Sequence, residues 1–207
     1  MVPDHLEVAL FSLGNFKDSE ARLGLTKGVW RTCVGYAGGV FPEPSYDNIG
    51  DHSEAVMAEY APHTLTYGQL LELFMRWYCA APLDASPRHA AIIFVRTETE
   101  RRLAQAAVER GALCGKARPG VRIVPFKSFH RAENACQKHY LRVVTRLYDE
   151  LMDLYKEEDA LLRSTLAARL NGILGQPSAS AWRRLPESAD LYGLSPVCLE
   201  VLRELES

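Results

Sequence analysis

The stretch LEVALFSLGNFKDSEARLGLTKGVWRTCVGYAGG, residues 6–39, sets the pattern for the whole chain. Residues 6–13 are rich in strand-forming side chains and stop at Gly14, which predicts a β-strand. Residues 16–26 suit a short helix closed by Gly28, and residues 31–37 read as a second strand halted by Gly38-Gly39. A strand, a helix and a strand this close together bury their apolar sides by packing helix on sheet.

The pattern continues outward from there. Residues 41–48 contain Pro42 and Pro44 and form a loop, because two prolines remove donors and restrict the residues before them. Residues 53–60 alternate, with Ala55, Met57 and Glu59 opposite Val56 and Ala58, which predicts a half-buried strand. Thr66 is placed to cap a helix over 67–78 whose Leu70, Leu71, Phe74 and Trp77 share a side. A loop over 80–87, a strand over 91–95, a helix over 97–114 and a last clear strand over 121–126 follow. Residues 132–173 are helical in period, with breaks expected near Glu157 and near Asn171-Gly172. Leu161, Leu162, Leu166 and Leu170 bury either against this core or against a partner.

Short strands among helices, then a helical end, predict one α/β or α+β domain over residues 1–174. Residues 175–207 form a tail: 175–180 are small and polar with Pro177, a hinge toward a segment holding Trp182, Tyr192 and Cys198. Lys and Arg total 24 against 26 Asp and Glu, so the balance gives no counterion-release drive toward nucleic acid and no steering to an anionic membrane. No run approaches a membrane span, and the first residues lack the basic-then-apolar order of a signal peptide, so a cytoplasmic location is expected. The five cysteines, Cys33, Cys79, Cys114, Cys136 and Cys198, are far apart and form no C-x-x-C pair, so each is expected reduced and mostly buried.

Several polar residues stand where chemistry is feasible. Glu54 opens an apolar strand, where a desolvated carboxyl can keep a proton and donate to a ligand oxygen; a solvated strand edge is the plainer reading. Tyr46 on the proline loop offers a phenolic donor or a packing ring. Asp84 and His89 flank the turn before the strand at residue 91, and capping explains them equally well. Cys136 and His139 are three apart, so a helix would set a thiol and an imidazole on one face. Asn15 follows Gly14 at a strand-to-helix turn, where it caps the helix and supplies no nucleophile comparable to a thiolate.

The segments ALFSLGNF (9–16), VGYAGG (34–39), PEPSY (42–46), GDHSEAV (50–56), AAIIFV (90–95), AENACQKHYL (132–141) and AARLNG (167–172) occur in an order and spacing that resembles the peptide methionine sulfoxide reductase A family. The resemblance covers about residues 8–174. It implies an α-β plait with a ferredoxin-like core, a mixed, largely antiparallel sheet flanked by helices, and a helical C-terminal extension. It implies no metal or organic cofactor, a monomer, and a peptide or protein bearing oxidised methionine as ligand, with thioredoxin a partner only for an active enzyme.

The family attacks the sulfoxide sulfur with the cysteine of a Gly-Cys-Phe-Trp motif. Here that stretch is Gly14-Asn15-Phe16-Lys17, so Asn15 stands in the nucleophile position and Lys17 in the tryptophan position. The resemblance assigns Phe16 to the wall around the methyl group, Glu54 to the carboxyl that meets the sulfoxide oxygen, and Tyr46 to its phenol partner. Asp84 falls on the aspartate before the fourth strand, and His89 on the second pocket tyrosine, a departure. Cys136 stands where the family has histidine, and Cys198, in a glycine-bearing tail, is a relic or analogue of a recycling thiol. Two functions follow: a catalytically impaired member that keeps part of a sulfoxide- or peptide-binding pocket, or an active reductase with a relocated nucleophile, Cys136 foremost.

Overall fold

The computed structural model describes residues 3–80, 86–111 and 120–176, with single helical positions at 196, 200 and 204. Strands β1 (Glu7–Ser12), β2 (Val29–Ala37), β3 (Ser53–Tyr60), β4 (Ile92–Val95), β5 (Arg122–Pro125) and β6 (Phe129–Arg131) form one sheet in the order β5-β4-β1-β3-β2-β6. Every neighbouring pair is antiparallel except β4 with β5. The central order β4-β1-β3-β2, with α1 (Phe16–Leu25) and α2 (Tyr67–Ala80) in the two crossovers, is the ferredoxin-like plait. Helix α3 (Glu98–Gly111) carries the chain from β4 to β5, as a parallel pair requires.

β3 is more buried than its alternation predicts, because both faces of the sheet are covered. Val56 and Ala58 join Ala9, Phe11, Val34 and Ile93 in the core that also holds residues of α1 and α2. Ala55 and Met57 meet Leu10, Ala37, Ile92 and Phe94 on the other face. The expected cap on α2 is present as a reciprocal box: Thr66 Oγ1 accepts from Gln69 N at 3.3 Å, and Gln69 Oε1 accepts from Thr66 N at 2.8 Å.

The helical end divides into α4 (His139–Val143), α5 (Thr145–Tyr155), α6 (Glu158–Leu162) and α7 (Thr165–Gly175). The break near Glu157 is there, at Lys156 with φ 64°. The expected break at Asn171-Gly172 is not, since α7 runs through it. Gly172 serves close packing instead: a Cβ there would lie 2.8 Å from Ala21 O of α1, and one on Gly24 would strike Ala168 O of α7. Leu161, Leu166 and Leu170 are buried with Leu141, Leu147 and Leu151 within the chain itself.

Cys33 and Cys136 are free, but Cys79 is disulfide-bonded, contrary to the reduced state expected for every cysteine; its partner lies outside the described residues. Of the hinge expected over 175–180, Gly175 ends α7 and Gln176 caps it; residues 177–180 and the terminal segment, apart from the helical positions at 196, 200 and 204, lie outside the described residues. Among the described residues no helix is long and apolar enough to cross a membrane.

Candidate functional site

The end of β1 and the start of α1 build one wall of the site. Gly14 takes φ 65° and donates its N–H to His89 O at 3.2 Å, so the chain turns sharply from strand to helix. Asn15 is the N-cap of α1, and its Oδ1 accepts from Lys17 N at 2.8 Å. The next N–H, on Phe16, donates to Glu54 Oε2 at 2.9 Å. Glu54, in β3, is only 1% exposed, so a helix N-terminus aimed at its carboxylate offsets part of the cost of burying it.

Arg88 meets the other oxygen, its Nε donating to Glu54 Oε1 at 2.7 Å, and His89 Nε2 lies 3.7 Å from that same oxygen. Burial alone would pull the guanidinium pKa down; the hydrogen bond and charge of Glu54 outweigh it and hold Arg88 above its ordinary value. Both carboxylate oxygens are therefore engaged as acceptors, Oε2 from Phe16 N–H and Oε1 from Arg88. Glu54 is thus buried and not a solvated strand edge, and it stands in a salt bridge with Arg88.

Tyr46 lies across this ion pair. Arg88 Nη1 donates to its carbonyl at 3.0 Å, and Arg88 Cζ sits 4.5 Å from its ring centroid. Lys17 Nζ stands 5.4 Å from the same centroid, and the Phe16 ring stacks at 6.2 Å. Tyr46 is 36% exposed, and its hydroxyl has no hydrogen bond among the described residues. Phe16 is buried between Tyr46 and Tyr36, its centroid 6.1 Å from the latter.

Glu133 joins the loop to the floor. Its Oε1 accepts from Tyr46 N at 3.0 Å and its Oε2 from Tyr36 Oη at 2.8 Å. Burial would raise its carboxyl pKa, but backbone N–H groups, Tyr46's among them, and the Tyr36 phenol bring it below the ordinary value. Burial, then the hydrogen bond to Glu133, pushes the Tyr36 phenol far up. Cys136 Sγ lies 3.8 Å from Glu133 Oε2, and burial, then the Glu133 charge, raises the thiol against the opposing pull of Lys17.

The structure thus brings together Asn15, Phe16, Tyr46, Glu54 and His89, and hangs Cys136 on the same cluster through Glu133. Cys136 and His139 do not share a helix: Cys136 ends a 3-10 turn (Asn134–Cys136), and Lys138, at φ 51°, intervenes before α4. Asp84 and Cys198 lie outside the described residues. Among the described residues no three His, Cys, Asp or Glu side chains converge as metal ligands.

A sequence model of the peptide methionine sulfoxide reductase family matches residues 7–168. The chain belongs to that family. It is 41% identical over 180 residues to peptide methionine sulfoxide reductase A5 of Oryza sativa subsp. japonica, covering 82% of this chain and 68% of the relative. It is 37% identical to the A5 protein of Arabidopsis thaliana, covering 84% and 70%. Methionine sulfoxide reductase A of Corynebacterium diphtheriae superposes with a TM-score of 0.58 at 22% identity, over 70% of this chain and 77% of that one, a likeness of fold.

Within this peptide methionine sulfoxide reductase fold, two charged residues organise the site: Glu133, which the sequence groups with Asn134, Cys136, Gln137 and His139, and Arg88, to which the sequence assigns no role. Arg88 adjoins His89, and Glu133 lies inside the quoted AENACQ segment, so a charged residue beside each motif position was the available signal. Their partners, Glu54 and Tyr46, are 34 and 87 positions away, distances that only the sheet closes.

Proposed function

We propose that this chain binds the methionine sulfoxide side chains of peptides or proteins without reducing them. The observation that carries the reading is Asn15, whose Oδ1 is committed to the N–H of Lys17 at the helix start where the family resemblance places the attacking thiol. Reduction moves the oxygen from the sulfoxide sulfur to a thiol sulfur, leaving a thioether and a sulfenic acid. A carboxamide has no sulfur to receive that oxygen. Binding needs less. The S=O oxygen is an acceptor, for which the Tyr46 hydroxyl and the Lys17 ammonium, whose Nζ is 5.4 Å from the Tyr46 ring centroid, would be the donors.

A second reading, reduction through Cys136, rests on one observation: its Sγ is 3.8 Å from Glu133, the carboxylate that also holds Tyr36 and Tyr46. Against it, the thiol is 8% exposed and raised by burial, which disfavours the thiolate that attack requires. Thioredoxin enters as a partner only under this second reading.

Isothermal titration with a methionine sulfoxide peptide, its reduced form and its sulfone, paired with chromatography of the peptide after incubation with dithiothreitol, separates the two. Heat specific to the sulfoxide with the peptide unconsumed is the expected result. Consumption abolished in Cys136→Ser supports the second reading, and no heat with any sulfoxide removes the first.

A further inference from the structure

Asp51 and His52, immediately before β3, hold four neighbouring backbone groups of the loop that carries Tyr46. Asp51 Oδ1 accepts from Phe41 N at 2.9 Å, and both its oxygens lie 3.0 Å from Val40 N. Those backbone N–H groups keep the Asp51 carboxyl below its ordinary pKa. The His52 ring is 1% exposed, with Gly39 N 3.3 Å from Nδ1 and Phe41 O 2.8 Å from Nε2.

An amide N–H only donates and a carbonyl only accepts, so Nδ1 holds the lone pair and Nε2 the proton. One neutral tautomer satisfies both contacts; a second proton on Nδ1 would face the Gly39 N–H. The groups facing the ring are Asp51 beside it and His130 of β6, whose centroid is 5.1 Å away edge-on; Gly38 to Phe41 supply no charge. Gly39 closes the arrangement, since a Cβ there would lie 2.8 Å from His52 Cδ2. Beyond this clasp the chain runs through Pro42 and Pro44 to Tyr46, which Glu133 and Arg88 hold by its own backbone.

We propose that Asp51 and His52 are positioning residues for Tyr46, clasping the base of its loop through the neutral Nε2–H tautomer of His52. The consequence for ligand affinity rests on the binding function proposed above; the clasp itself does not.

The test is hydrogen exchange over residues 38–48, corrected for intrinsic rates, in the wild type, His52→Ala and His52→Asn, with β1 and β4 as internal controls. Asn keeps an acceptor where Nδ1 stands. Exchange at pH 7.5 should rise about tenfold or more in His52→Ala and stay near wild type at the Gly39 amide in His52→Asn. Long-range 1H–15N correlation on the wild type should show the Nε2–H tautomer, a measurement that stands even where a variant fails to fold. Unchanged protection in His52→Ala, or an Nδ1–H tautomer, overturns the clasp. The affinity for a methionine sulfoxide peptide should fall about tenfold in His52→Ala and recover in part in His52→Asn. Loosened exchange with unchanged affinity overturns the positioning of Tyr46, whereas absent binding in the wild type removes the binding function alone and leaves the exchange to decide the clasp.

Discussion

A carboxylate buried to 1% exposure between a helix N-terminus and a guanidinium loses far more by losing a partner than it gained from the pair. Arg88→Met should therefore destabilise the fold by roughly 3 kcal/mol, read from the urea midpoint, and Glu54→Gln added to it should restore part of that loss. An equal loss in the single and the double variant would show that Arg88 matters only for its packing on Tyr46. The same geometry governs an attempt to restore chemistry. Asn15→Cys puts a thiol at the start of α1 near Lys17, where helix dipole and ammonium both favour the thiolate. Its alkylation rate should titrate below the ordinary thiol range of about 8.5. Sulfoxide consumption should rise further when Arg88→Gln unties Glu54, and equal turnover in Asn15→Cys with and without Arg88→Gln would show that the ion pair does not hold Glu54 back. At this scale the sequence was informative about proximity: Asn15, Phe16, Tyr46, Glu54 and His89 lie in one cluster. It was silent about what each does, because the role of Glu54 is set by Arg88, which enters from another strand's approach.

Between elements, the costliest bond in physical terms is the buried pair of Glu20 in α1 and Lys138 before α4. Lys138 Nζ donates to Glu20 Oε1 at 2.6 Å and to Thr32 O at 2.7 Å, and its backbone N–H donates to Glu20 Oε2 at 2.9 Å. Both side chains are fully buried. This ties α1, β2 and the segment carrying Glu133 and Cys136 together beneath the site. Lys138→Met leaves the carboxylate unpaired and should cost about 3 to 5 kcal/mol in a denaturant titration, while Glu20→Leu with Lys138→Met should recover much of it. Recovery failing altogether would mean that the Thr32 and backbone contacts, not the charge pair, hold the junction. The pair spans 118 positions, and no local pattern announces it. Helical period over 132–173 was legible because it is local. The left-handed turn at Lys138 and the short β6 were not, because tertiary contacts to Glu20 and to β2 impose them.

Over the whole molecule, the sheet order was legible only through the family likeness, since residues 6–60 alone do not say which edge β4 joins. The cysteines read differently in the fold than in the sequence, because spacing alone does not say which of them pair. With Cys79 disulfide-bonded and Cys33 and Cys136 free, the unfolded chain should show three thiols before reduction and five after. Five before reduction would contradict the bond.

The tyrosines make a second whole-molecule test, because Tyr140 and Tyr148, like Tyr36 and Tyr60, join separate parts of the fold through carboxylates. The Tyr140 phenol donates to Asp18 of α1, and Tyr148 of α5 donates to Glu158 of α6 at 2.9 Å. Burial first, and then these hydrogen bonds, push both phenols up to about 12 from 10.0. A folded-state pKa above the unfolded one contributes stability that is whole below pH 10.0 and is lost as pH rises through about 12. The denaturant midpoint should therefore decline across that window as absorbance at the phenolate band grows. Tyr140→Phe and Tyr148→Phe should each flatten the decline. A midpoint that falls with the same slope in the double variant would place the alkaline sensitivity elsewhere in the chain, and these two junctions would then count for packing alone.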